Sequence, residues 1–181
     1  MRSPLPRGPE TGPSTSPARR VVVATAGVIA SVDALAKVVA VAALEGRPPV
    51  ALPLGLGRLR IYRNPGGPGG FLDSHTLVVT GASTAVLAAV WVASRQATSR
   101  AEALGFGLLM GGGLGNLADR VVRTPGPLQG HVVDWLQPWY AHSVMNLADL
   151  ALQAGLVVLA GSAASTWWRT RGPLARAAQS G

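Results

Sequence analysis

The stretch VVVATAGVIASVDALAKVVAVAAL, Val21 to Leu44, decides the fold class. Within this 24-residue apolar run the only charges are Asp33 and Lys37. At about 1.5 Å of rise per residue, a helix of this length crosses the ~30 Å hydrocarbon core of a bilayer with room to tilt. A cleavable signal peptide is the rival reading, with Arg19 and Arg20 as its basic region and VVVATAGVIA as its apolar core. The apolar pattern continues well past any cleavage site, which favours a retained span.

Outward from this run the same character recurs. Three further apolar runs lie at roughly 75–94, 101–122 and 143–168, which predicts four membrane helices. Residues 1–18, MRSPLPRGPETGPSTSPA, bury too little to offset the entropy of ordering and read as a disordered tail. The membrane domain is placed at 19–168, and RTRGPLARAAQSG, residues 169–181, reads as a solvated cytoplasmic tail. Between the first two spans, Glu45 to Ser74 is rich in Pro and Gly. It contains the alternating RLRIYRN, which predicts a strand or hairpin outside the membrane.

Composition agrees. Of 181 residues, 48% are hydrophobic and 13% charged, against about a quarter charged in an ordinary soluble domain. A net charge of +8 would point to nucleic acid in a soluble protein, but here the arginines sit between long uncharged runs, as cationic membrane loops do. With four spans both termini share a side. That side carries nine arginines (2, 7, 19, 20, 95, 100, 169, 171 and 176) and the other six (47, 58, 60, 63, 120 and 123), which favours cytoplasmic termini. The absence of cysteine excludes disulfides, thiolate metal sites, a cysteine nucleophile and a lipidated cysteine on the chain itself.

Chemistry must then come from carboxylates, hydroxyls or histidines. Charge at membrane depth is costly, so Asp33, Asp119, Asp134 and Asp149 each ask for a partner or a task; helix-packing glue or an interfacial anchor is the bland alternative. Asn116, Asp119 and Arg120 stand at i, i+3 and i+4 near the outer end of the third span. Asn146 and Asp149 stand near the outer start of the fourth, with Asp134 in the connection between them. Three carboxylates, two amides and a guanidinium therefore converge near the outer boundary. Two close carboxyls cannot both ionise cheaply and share a proton, which is what aspartic-protease chemistry requires; spacing alone leaves open which two. Asp33 and Lys37, at i and i+4 within the first span, read as a bracing ion pair.

Rival chemistries are poorer fits. His131, His142 and Asp134 are at no recognised metal-ligand spacing. His142 and Ser143 as helix neighbours point to different faces. GGGLG lacks the downstream lysine and hydroxyl of a phosphate loop, and its glycines suit close helix contact instead. Neither metal nor cofactor is expected.

Five blocks in order, VDALAK, RNPGG, GGGLGNLADR, GHVVDW and MNLADLAL, resemble the lipoprotein signal peptidases (signal peptidase II), bacterial intramembrane aspartic proteases. The resemblance covers roughly 20–165. It implies an all-α membrane protein of four transmembrane helices with a small extracytoplasmic β-cradle, for which Glu45 to Asn64 is the fitting segment. It places the catalytic pair at Asp134 and Asp149, and supporting polar residues at Asp33, Lys37, Asn64, Gly66, Asn116, Asp119, Arg120 and Asn146. It implies cleavage of prolipoproteins on the amino side of a diacylglyceryl-modified cysteine. It also implies residence in the bacterial inner or plasma membrane among lipids, with the site near the extracytoplasmic face; a monomer without nucleic-acid partners is expected. Two features depart from the family pattern. NPGGPGGF delays the aromatic after Asn64 to Phe71, and VRTPGPLQG, between Arg123 and His131, is long for a connection ahead of a catalytic Asp. Two other functions compete: a small proton-coupled transporter, since buried Asp and Lys also mark ion pathways, and a catalytically degenerate scaffold of the same fold. Clustering of the acids at one end argues against transport, and only the altered loop favours a scaffold.

Overall fold

The computed structural model describes residues 16–67, 72 and 75–178. Most of the predicted tail before residue 16, Pro68 to Phe71 of the altered loop, and residues 179–181 lie outside the described residues. Four helices form the body: α1 Pro17–Leu44, α2 Thr76–Ser94, α3 Arg100–Val122 and α4 Leu147–Ala178. A three-stranded antiparallel sheet, in the order β1 (Val50–Ala51), β2 (Gly57–Asn64), β3 (Val132–Pro138), packs on one end of the bundle, against α1 and α3.

The helix bounds follow local chemistry. α1 starts earlier than the apolar run because Ser16 accepts from the Arg19 N–H and Pro17 fills a first-turn position where no N–H is needed. α4 starts at Leu147 because Asn146 caps it, and it runs on to Ala178, past the expected end of the span at Trp168. α3 opens on Ser99, whose hydroxyl accepts from the Glu102 N–H.

Three helices, α1, α2 and α4 as far as Arg171, are long and apolar enough to cross a membrane. Their outward faces carry exposed Val28, Leu35, Val38, Val86, Leu156 and Val157. The interior, by contrast, holds small residues and buried Asp33, Lys37, Thr80, Asp119 and Asn146, an arrangement suited to an apolar surrounding.

α3, which is not one of those three, is the most enclosed helix: it packs against α1, α2 and α4. Its glycines permit this. A Cβ on Gly107 would stand 2.6 Å from Thr25 Cβ and one on Gly111 2.6 Å from Ile29 Cβ, both on α1. On another face a Cβ on Gly112 would collide with the Ala148 carbonyl of α4. Low hydropathy and deep burial in α3 thus share one cause, backbones brought together by missing side chains.

The sheet differs from the sequence expectation in one respect. The predicted strand in RLRIYRN exists as β2, but HVVDWL, read as an apolar connection, supplies β3, the partner strand. The register pairs Tyr62 with Asp134 and Asn64 with Val132, with a bulge between Leu59 and Tyr62. Asp134 therefore sits on a strand, beside β2 and above the helix ends.

Candidate active site

Asp33, Lys37, Asn64, Asn116, Asp119, Arg120, Asp134, Asn146 and Asp149 enter one hydrogen-bonded cluster where the sheet meets the bundle. Asp134, on β3, is 1% exposed. Its Oδ2 accepts from Asn64 Nδ2 at 3.0 Å and its Oδ1 from Asn146 Nδ2 at 2.6 Å. Asp149, half-buried at the first turn of α4, accepts from Asn116 Nδ2 at 2.8 Å on Oδ1 and from the Asn146 backbone N–H at 3.1 Å on Oδ2. Asn146 Oδ1 accepts from the Asp149 N–H at 3.0 Å. Asn146 and Asp149 thus form a reciprocal capping box, and one carboxyl of the cluster also starts a helix.

Asn116 lies between these groups. Its Oδ1 accepts from Asn146 Nδ2 and from Lys37 Nζ, each at 3.0 Å. Lys37 also stands 2.7 Å from Asp33 Oδ2 and 3.0 Å from Asp119 Oδ2. Asp33 Oδ1 accepts from the Ala148 N–H at 2.9 Å, capping α4 from a second side. The expected Asp33–Lys37 pair exists, then, but as part of a larger network rather than in isolation.

Asp119 and Arg120 support the surrounding backbone. Asp119 pairs with Arg123 and accepts from the Val133 N–H at 3.1 Å, tying β3 to α3. Arg120 donates to the carbonyls of Pro65, at 3.2 Å, and Gly66, while Asn64 Oδ1 accepts from the Gly66 N–H at 3.0 Å. The described start of the loop after Asn64 is thereby held from both sides. Thr80 of α2 donates to the Leu128 carbonyl at 2.8 Å, fixing the long connection ahead of β3.

Burial is the main reason that the Asp134 carboxyl is pushed up to about 7, and the nearby Asp149 charge adds to it. The hydrogen bonds from Asn64 and Asn146 and the charge on Lys37 pull the other way. A carboxyl in this state exchanges protons near neutrality, the property that general acid–base chemistry needs. The arrangement offers a deep carboxyl beside a more open one, both supplied with fixed donors. Tyr62 was not singled out in the sequence, yet it stands opposite Asp134 and two residues from Asn64. The alternation in RLRIYRN was the signal for it. Among the described residues no three His, Asp or Glu side chains are grouped as metal ligands.

The comparisons with known proteins bear on the family and the fold. The family model described as signal peptidase (SPase) II matches residues 25–164. A lipoprotein signal peptidase of Rhodococcus jostii is 38% identical over 148 residues, covering 81% of this chain and 74% of that one. One of Mycobacterium tuberculosis H37Rv is 35% identical over 153 residues, covering 84% and 75%. In fold, the chain is similar to a bacterial membrane enzyme solved by the in meso method at 2.3 Å resolution. That match has a TM-score of 0.70 at 19% identity, over 81% of this chain and 88% of the other.

Proposed function

The chain belongs to the signal peptidase II family and is a protease; on that premise we propose that Asp134 and Asp149 are its catalytic pair and that it removes signal peptides from prolipoproteins, cutting before a diacylglyceryl-modified cysteine. The observation that carries the assignment is the bridging of these two carboxyls, and of no other pair among the described residues, by the Asn146 and Asn116 amides. Asp119, the third candidate from sequence, is spent on Lys37, Arg123 and the Val133 N–H.

In the resting pair one carboxyl is protonated and the other is an anion. The anion takes a proton from water as the water oxygen attacks the scissile carbonyl carbon, and the acid gives its proton to the carbonyl oxygen. The tetrahedral species collapses with cleavage of the C–N bond, and the proton taken from water passes to the leaving amine. No covalent enzyme intermediate is required. Asn64, Asn116 and Asn146 hold the two carboxyls in place, and Arg120 shapes the loop beside them.

The four-span topology is part of this proposal. α3 is the fourth span, solvated by the other helices rather than by lipid. At the end of the bundle away from the sheet, Arg19 lies 5.3 Å over the Trp91 ring and Arg171 5.4 Å over that of Trp167. Paired arginine and tryptophan there support a cytoplasmic interface, cytoplasmic termini and an active site near the extracytoplasmic face.

The test is cleavage of a diacylglyceryl-modified prolipoprotein by the purified protein in lipid, read as the mass of the released fragments. Asp134→Asn and Asp149→Asn should each lose on the order of 1,000-fold in turnover while still folding, and the double variant should be little worse than either. Near-normal turnover in either single variant would refute the pair.

A further inference from the structure

We propose that Lys37 is a positioning residue for the Asp134 and Asp149 pair: it holds the oxygen end of the Asn116 amide, and so keeps the NH₂ end of that bridging amide aimed at Asp149. The inference rests on the catalytic reading above and extends it to a residue whose sequence explains it fully as half of an ion pair.

The argument is one of donors and acceptors. A lysine ammonium has three N–H groups and no lone pair. Lys37 is wholly buried, and its three neighbours are Asp33 Oδ2, Asp119 Oδ2 and Asn116 Oδ1, at 2.7, 3.0 and 3.0 Å. Because it only donates, the end of the Asn116 amide that meets it must be the oxygen. The NH₂ end is thereby turned to Asp149 Oδ1, 2.8 Å away. Asn146 is set independently, since its oxygen is committed to the Asp149 N–H; its NH₂ then reaches Asn116 Oδ1 and Asp134 Oδ1.

A reversed Asn116 would set NH₂ against NH₂ at Asn146 and oxygen against oxygen at Asp149. With Lys37 present it would also set NH₂ against ammonium. Two carboxylates already suffice to neutralise Lys37. Its contact with Asn116 contributes nothing further to charge balance but holds the direction of the hydrogen bond from Asn116 to Asp149.

The experiment must separate positioning from bracing, because Lys37→Met alone leaves Asp33 and Asp119 short of a cation and folds poorly. The informative variant is Asp33→Asn combined with Lys37→Met, which removes one charge of each sign, compared with Asp33→Asn alone, which leaves the Lys37–Asn116 contact intact. Turnover is measured per folded molecule. Asp33→Asn sets the reference kcat, and relative to it the double variant should lose on the order of 100-fold in kcat at nearly unchanged KM. In an Asn116→Ala background the step from Asp33→Asn to the double variant should cost nothing further, because no amide remains to orient. Equal kcat in the double variant and in Asp33→Asn overturns the proposal, as does an undiminished loss in the Asn116→Ala background. Asp134→Asn, assayed alongside, keeps the two readings apart. If it stays active the catalytic pair is wrong; if it is dead while the Lys37 double variant turns over normally, only the positioning role fails.

Discussion

Asn146 donates to the Asp134 carboxyl at 2.6 Å, while its own side-chain oxygen and backbone N–H are both committed to Asp149. One residue thus ends the approach to α4, starts the helix and sets the separation of the two acids. Asn146→Ala should destabilise the fold by about 1 kcal/mol, as loss of a helix cap does. It should also reduce turnover far more than that cost implies. Chemical denaturation beside a cleavage assay checks both, and a loss of turnover no greater than the loss of folded protein would count against the bridging role.

Activity should follow a bell in pH whose alkaline limb lies near 7. The Asp134 carboxyl holds its proton up to about 7, so rising pH removes the acid form and the rate falls. Falling pH protonates the other member and the rate falls again, the two limbs belonging to the pair. Asn64 donates to the anionic form of Asp134, so Asn64→Ala should move the alkaline limb upward. The remaining influences on Asp134, from Asp149, Asn146 and Lys37, stay in place in that variant. A kcat profile of the two proteins decides it, and a downward move contradicts the assignment.

Glycines that resemble each other in sequence should behave oppositely on mutation. Gly112→Ala drives a Cβ into the Ala148 carbonyl, immediately before Asp149, and should cost about 1–3 kcal/mol together with activity. Gly27→Ala in α1 meets nothing within 4 Å and should gain up to about 1 kcal/mol from helix propensity. Thermal unfolding in detergent gives the ordering.

Orientation can be read with single cysteines, because the natural chain has none. Cysteine placed at Ala97 should be shielded from a membrane-impermeant thiol reagent added outside cells, and cysteine at Pro127 should react. The reverse pattern would place the catalytic carboxyls on the wrong side for exported substrates.

The sequence showed the helices plainly because crossing a bilayer demands long uncharged runs, and α1, α2 and α4 have them. α3 was legible only as an apolar segment: its enclosure depends on which helices its glycines meet, a matter of tertiary packing. β3 was missed because VVDWLQP does not alternate and has an acid at its third position, which reads as a loop until β2 is beside it. Spacing along α3 and α4 brought Asn116, Asp119, Arg120, Asn146 and Asp149 together. Only the family resemblance singled out Asn64 and chose between Asp119 and the other acids. The contact of Lys37 with Asn116 was beyond reach, since it joins residues 79 apart and no local pattern encodes it.

The ladder bridge between Leu136 and Met145 closes the base of a loop that carries the exposed Trp139 and Tyr140. With its base closed, the loop can change length at its tip, and the distance between the acids does not pass through it. A peptide tag or dye inserted at Tyr140 should therefore report on the enzyme without disturbing cleavage. A single extra residue after Asn146 would move Asp149 out of step with everything that holds it.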